Sequence, residues 1–277
     1  MKQRQPASGV SMGIRRTLAS MKNGNTLKDA SKPSEFTIKV ANTLEEREAV
    51  FKLGYQIYLK KGFISENPQE WLIRSFDANP ETLILIVQEK SKNVVGSVTL
   101  VFDGSTKLPA EKIYSEELKI LKNQKERIAE ISRLVIDPNY RNSKEILVLL
   151  FNYLYIYSYY VKNYTCLAIE VNPRHTNYYQ ELLHFRKIGT LKECPNVKNA
   201  PAMLMYLPLK HGQAEVLRLS KNQESDSRNR SLYSVFIKPE QENLVAYYLE
   251  KQAIGITIEE KMYFGFTESG INRAVCV

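Results

Sequence analysis

Two segments of this 277-residue chain concentrate side chains able to handle protons and bind anions: AEISRLVIDPNYR at 129–141 and IEVNPRHTNYYQELLHFRKIG at 169–189. The first reads as a strand from Ile128 to Ile136, stopped by Asp137 and Pro138. Regular alternation points Glu130, Ser132 and Leu134 to one face and Ile131, Arg133 and Val135 to the other. A carboxylate and a guanidinium in mid-strand are unusual, and they fit either an edge strand with a satisfied Glu130–Arg133 ion pair or a reactive site. In the second segment His175 follows a strand directly, and Tyr178 and Tyr179 open a helix in which adjacent residues cannot both face one point. Other chemistry lacks its signatures. There is no GxG, so the dinucleotide fingerprint and the P-loop are missing, and there is no HExxH or GxSxG. Cys166, Cys194 and Cys276 are odd in number and without CxxC spacing, so neither a disulfide framework nor a metal site is expected.

Positioning these segments takes an ordered set of strands and helices. A strand begins at Phe36, Leu44 to Lys61 has a helical pattern, and Asn67 to Phe76 reads as a short helix ending in the pair Phe76 and Asp77. Thr82 to Glu89 and Val94 to Phe102 form a hairpin across the turn SKN. Pro109 starts a helix over Ala110 to Lys125. Ser143 caps a long aromatic helix over 145–162, after which come a strand at Thr165 to Val171, a helix at His175 to Phe185 and a strand at Met203 to Leu209. That order predicts an α/β fold, a mixed central sheet flanked by helices. Residues 1–34 read as a polar tail, 35–210 as the main domain and 211–277 as a C-terminal extension behind a linker at 221–230. The extension carries an amphipathic helix, Glu240 to Lys251, and two short strands around Ile256 and Tyr263.

Charge and hydropathy narrow the partners. The formal net charge is +9, of which residues 1–34 carry +6 without any aromatic side chain, the pattern of a solvated tail rather than a nucleic-acid surface. No apolar core follows the N-terminal basic residues as in a secretory signal, and the cysteine usage fits a reducing, cytoplasmic compartment. The most apolar stretch, Ile146 to Val161, falls short of the ~20 residues that span a bilayer and reads as a buried helix.

Taken in order and spacing, AEISRLVIDPxYR, the long helix behind it and VNPRHxxYYxxLLxFxxIG resemble the FeeM-type long-chain N-acyl amino acid synthases. These lie within the GNAT superfamily and are related to the acyl-homoserine-lactone synthases. Arg47 with Val50 and Phe51, the pair Phe76 and Asp77, and Gly96 on a strand resemble the amino half of the lactone synthases. The resemblance covers roughly 36–209. It implies a GNAT-like acyl-CoA N-acyltransferase fold and transfer of a fatty acyl group from an acyl carrier protein thioester to the amine of an amino acid. The donor is then an acyl-phosphopantetheine, with acyl-CoA as the other choice, and no cofactor is bound permanently.

On that reading Glu130 is the base for the incoming ammonium, and Arg133 holds either Glu130 or the acceptor's carboxylate. GNAT folds have a bulge in this strand, which would bring the two to one face and turn backbone N–H groups around Ser132, Leu134 and Val135 toward the thioester oxygen. Tyr179, or Tyr178, protonates the leaving thiolate. Asn172, Arg174, His175 and Tyr178 bind substrate, His175 by touching the acceptor, with a helix cap as its other role. The glycine-rich pyrophosphate loop of ordinary acetyltransferases is replaced by YRNSKEI, which favours a carrier-protein donor steered by Arg141, Lys144 and Arg174. His184 stands where the family usually has glycine. Leu147, Leu150, Tyr153, Leu154 and Tyr157 either line a long-acyl pocket or are core. The alternatives are a CoA-dependent acetyltransferase, a homoserine-lactone synthase and a non-catalytic acyl-binding module. Leu244, Tyr247, Tyr248 and Lys251, with Val245 and Leu249 adjacent, form a stripe that needs cover, from the chain's own main domain or from a second copy in a homodimer.

Overall fold

Alternating apolar runs and helical stripes assemble around one twisted sheet in the computed structural model, which describes residues 35–104, 106–140, 143–221, 230–267 and 270–271. The basic tail, Arg141, Cys276 and nearly all of the expected linker lie outside the described residues. β1 (Phe36–Val40) leads into α1 (Leu44–Lys60), whose N-terminus is capped by Thr43. β2 (Leu83–Glu89) and β3 (Val94–Phe102) form the expected hairpin, with Lys92 in the left-handed region of its turn. Then follow α2 (Glu111–Asn123), β4 (Ile128–Ile136), α3 (Lys144–Ile156), β5 (Cys166–Val171) and α4 (Thr176–Leu183). The short β6 (Arg186–Lys187) and β7 (Lys192–Cys194) precede β8 (Ala200–Pro208). The sheet runs β1-β2-β3-β4-β5-β8-β6, with β7 also paired to β8, and every pairing is antiparallel except β4 with β5.

Helices cover both faces. α3 packs on one, where Ile146, Leu149, Leu150 and Leu154 meet Leu85, Val98, Leu100 and Ile131. Gly96 permits the approach, since a Cβ there would lie 2.8 Å from Ile146 Cγ2. On the other face α2 seats Tyr114, Leu118 and Leu121 over Val101, Ile128 and Ala168. The aromatic helix is buried all round, because α3 has the sheet on one side and the C-terminal segment on the other. Its last turn widens into a π turn at Tyr157–Val161.

Three local readings are corrected. Residues 67–74 are not helical: Pro68 follows Asn67, whose side chain bonds both N and O of Trp71, and Glu70 takes φ 55°, so only a 3₁₀ turn forms at Ser75–Ala78. Ile256 lies outside regular structure and Tyr263 ends the helix α7 (Ile258–Tyr263), because Thr257 and Glu260 form a reciprocal capping box. The strands of this region are β9 (Phe266–Thr267) and β10 (Gly270–Ile271). Leu209, expected to end the last strand, instead opens α5 (Leu209–Lys221) directly behind β8, and the residues after it, to which no element was assigned, form the rest of that helix.

The C-terminal helix α6 (Pro239–Gln252) packs on the π turn, α3 and β1 through Glu242, Val245, Ala246 and Leu249. The expected stripe is thus split: Val245 and Leu249 take the buried side, while Leu244 and Tyr247 face outward, 44% and 55% exposed. Polar contacts fix the C-terminal segment as a whole, with Tyr160 donating to Glu242 of α6, Tyr159 to Gln213 of α5, and the Ile237 N–H to Asn152 Oδ1 at 2.9 Å. Farther on, Phe264 packs between Phe51 and Trp71, and Arg47 pairs with Glu260 at 3.2 Å. Leu232, Tyr233, Phe236, Ile237, Val245 and Leu249 are all core. At about 1.5–3 kcal/mol each, they match the ~5–15 kcal/mol that holds a typical domain together. A chain ending at His211 is therefore expected to be insoluble or to melt far below the full chain. Differential scanning calorimetry of the two checks this, and equal melting temperatures would refute it.

Candidate active site

A β-bulge organises the site. Thr99 pairs with Ser132 and Ser97 with Val135, so Arg133 and Leu134 together oppose Val98. Arg133 takes φ 43°, in the left-handed region. The extra residue resets the alternation and brings Arg133 to the face that carries Glu130. On its other edge β4 pairs with β5 only from Ile128 to Ile131, although β4 runs on to Ile136. Beyond Ile131 the two strands part, and along that edge the backbone of 132–136 has no strand partner among the described residues.

A cavity of about 190 Å3 opens at this gap. Glu130, Ser132 and Arg133 from β4 line it with Glu170 and Asn172 from the end of β5, and Tyr58, Arg74 and Asn196 close other sides. Glu130 is 2% exposed and accepts the Ala110 N–H at 2.9 and 3.2 Å, the neighbouring Pro109 having no N–H to give. No lysine or arginine pairs with it among the described residues. Burial pushes its carboxyl up to about 8, against the pull of the Ala110 N–H and with the help of the Glu170 and Glu111 carboxylates. A carboxylate so poised near neutral pH is fit to take a proton from an amine.

Arg133 does not pair with Glu130. Its Nη1 and Nη2 each donate at 2.6 Å to Asp77, with further bonds to Leu72 O and Thr99 Oγ1. The rings of Phe51 and Phe76 flank the guanidinium at 5.0 and 5.7 Å. Phe76 and Asp77, the pair that resembles the lactone synthases, fix the arginine that holds the bulge. The fork is thereby occupied and unavailable to an acceptor carboxylate.

The remaining expected residues divide. Ser132 and Asn172 line the cavity, and Asn172 Oδ1 also accepts from the Arg174 N–H. Leu134 packs toward α3 and Val135 against Leu53 and Ile57 of α1, so neither side chain faces the cavity. Arg174 and His175 are exposed, with Arg174 Nε donating to His175 Nε2 at 3.1 Å, and His175 makes no side-chain cap bond. Tyr178 lies outside the cavity, and Tyr179 is wedged between Phe151 and Phe185. Lys144 is exposed at the first turn of α3. The five aliphatic and aromatic residues proposed for an acyl pocket on the long helix all pack in the main core.

Three site residues escaped the sequence reading. Glu170 sits two positions past Ala168, which pairs with Glu130, and so shares its face. Burial raises its carboxyl, while the Cys194 thiol donates to it. Its signal was a charge inside an apolar strand. The hydroxyl of Tyr58 in α1 makes no hydrogen bond among the described residues, and desolvation raises it above the usual tyrosine value. Arg74 lines the cavity with Nη2 on Asn196 O at 3.1 Å. No pattern marked these last two.

Comparison with known proteins agrees with this architecture. The family model for the N-acyl amino acid synthase FeeM matches residues 49–208, more than half of the chain. Among solved structures, FeeM, an N-acyl amino acid synthase from uncultured soil microbes, superposes with a TM-score of 0.55 at 24% identity, over 63% of this chain and 91% of that one. The acyl-homoserine-lactone synthase LasI gives 0.47 at 16% over 64% and 91%. An acyl-CoA N-acyltransferase from Pseudomonas aeruginosa gives 0.44 at 15% over 62% and 97%. No curated protein sequence matches. With the bulged strand, the parting of β4 and β5 and the buried glutamate all inside the matched region, the chain belongs to the FeeM N-acyl amino acid synthase family and has the GNAT acyltransferase fold.

Proposed function

We propose that the protein transfers a long-chain acyl group from the phosphopantetheine thioester of an acyl carrier protein to the amine of an amino acid. The observation that carries this is Glu130, a buried carboxyl paired with no lysine or arginine among the described residues and poised near pH 8 in a cavity at the gap between β4 and β5. The acceptor ammonium gives one proton to Glu130, directly or through a water, and its nitrogen attacks the thioester carbonyl carbon. Backbone N–H groups on the unpaired edge of β4 stabilise the oxyanion. The C–S bond then breaks, and the thiolate leaves with the second amine proton. Tyr58, which lines the cavity and is kept protonated by desolvation, relays it in the role first given to Tyr179. Arg74 replaces Arg133 as the guanidinium facing the acceptor's carboxylate, and Glu170 adds negative potential for the ammonium.

A carrier-protein donor is favoured by the start of α3. Ser143 Oγ accepts the Ile146 N–H, and no glycine occurs from Asn139 to Ile156, so the tight backbone cradle of a pyrophosphate has little to form from. Exposed Lys144 and Arg174 lie on the surfaces flanking the gap, suited to an acidic carrier. Among the described residues no helix is long and apolar enough to cross a membrane, and buried, free Cys166 and Cys194 accord with a reducing cytoplasm. Full-length protein incubated with acyl carrier protein thioesters or acyl-CoAs and pooled amino acids should yield N-acyl amino acids by mass spectrometry, faster from the carrier. Turnover with acetyl-CoA alone would overturn the donor, and product dependent on S-adenosylmethionine would overturn the acceptor.

A further inference from the structure

His184 closes α4 in the left-handed region, at φ 61° and ψ 26°, the backbone state that favours glycine. From there its ring Nδ1 meets Nε2 of His211, in the first turn of α5, at 3.1 Å. Glu215 follows His211 by four residues, so the helix sets both on one face. One ligand atom from each of the three, all half-buried, lies within 4.8 Å of the others. None of them lines the Glu130 cavity.

The geometry suits an ion. Two imidazole nitrogens bound at about 2.0–2.1 Å to one metal, at an angle of about 100°, stand about 3.1–3.2 Å apart. The surroundings hold the ligands in place. The Tyr233 ring meets His184 edge-on at 5.4 Å while its hydroxyl donates to Leu183 O at 2.9 Å. Arg218 donates to both Glu215 oxygens, at 3.2 and 2.7 Å, the outer contact that orients a ligating carboxylate. Two imidazoles and a carboxylate favour a zinc-like ion over magnesium or calcium.

We propose that His184, His211 and Glu215 bind one divalent transition-metal ion, with zinc as the reference, that clasps the end of α4 to α5. Through Tyr233 the clasp reaches the C-terminal segment, so the ion stabilises the junction between the acyltransferase sheet and that segment and takes no part in acyl transfer. Sequence spacing hid it, because His184 and His211 are 27 residues apart on different elements.

Chelator-treated full-length protein is titrated with Zn2+ by calorimetry and with Co2+ by visible absorption. The expected result is one equivalent bound, a higher melting temperature with zinc, and cobalt bands free of thiolate charge transfer. H211Q, and H184N with an asparagine that tolerates the left-handed region, should each weaken binding more than about tenfold. Thiolate charge transfer, affinity unchanged in both variants, or no binding by cooperatively melting wild-type protein each overturns the assignment. The last outcome leaves only a hydrogen-bonded imidazole pair.

Discussion

E130Q should lower turnover by about 10²–10⁴-fold, the range a positioned general base contributes, while the protein becomes more stable. The wild-type rate should climb with pH through about 8 as Glu130 loses its proton. In the variant that limb disappears, leaving only the titration of the acceptor itself. The stability change follows from the same burial. Glu130 is held well above its usual value of 4.5 in the folded chain, so between about 4.5 and 8 the native state binds the extra proton and the unfolded state does not. Stability from this group is complete below 4.5 and declines as pH rises to about 8. Each pH unit in that window is worth about 1.4 kcal/mol, so charging the buried group costs on the order of 3–5 kcal/mol. E130Q removes that charge and keeps an oxygen for the Ala110 N–H. Its melting temperature should match wild type near pH 4.5 and exceed it near pH 8.5. Steady-state kinetics and calorimetry across pH test both halves; a loss of turnover below about threefold would remove Glu130 from the chemistry.

R133M should unfold at much lower urea concentration, with a loss of about 3–5 kcal/mol, because it strands the Asp77 carboxylate in the interior. Side chains of both partners are nearly inaccessible, at 2% and 0% exposed, and two parallel bonds at 2.6 Å join them. D77N should cost a similar amount by leaving the guanidinium charge uncompensated. The double variant D77L/R133M should recover much of the loss, since a buried pair replaced by apolar groups is often neutral. A double-mutant cycle in urea measures the coupling, and single variants within about 1 kcal/mol of wild type would show the pair to be dispensable. Surviving R133M protein should also turn over slowly, because the arginine anchors the bulge beside Glu130.

The sequence placed the central strand, the aromatic helix and Glu130 because their signals are local. A proline stop bounds the strand, a serine cap opens the helix, and a carboxylate stands out in an apolar run. The resemblance added the bulge and the family. Local patterning also misled, as at Asn67–Phe76, where an asparagine side chain occupied the backbone of Trp71 and prevented a helix. α5 went unread because it starts at Leu209 with no turn behind β8. Tertiary structure alone decided which groups meet. One residue inserted opposite Val98 turned Arg133 away from regular alternation and toward Asp77, 56 positions earlier. Strand pairing set Glu170 beside Glu130, and the packing of α1 carried Tyr58 to the same cavity. Helical and strand periods report which face of an element is apolar, whereas partners across the sheet depend on register, and a single bulge resets register without changing the pattern that sequence displays.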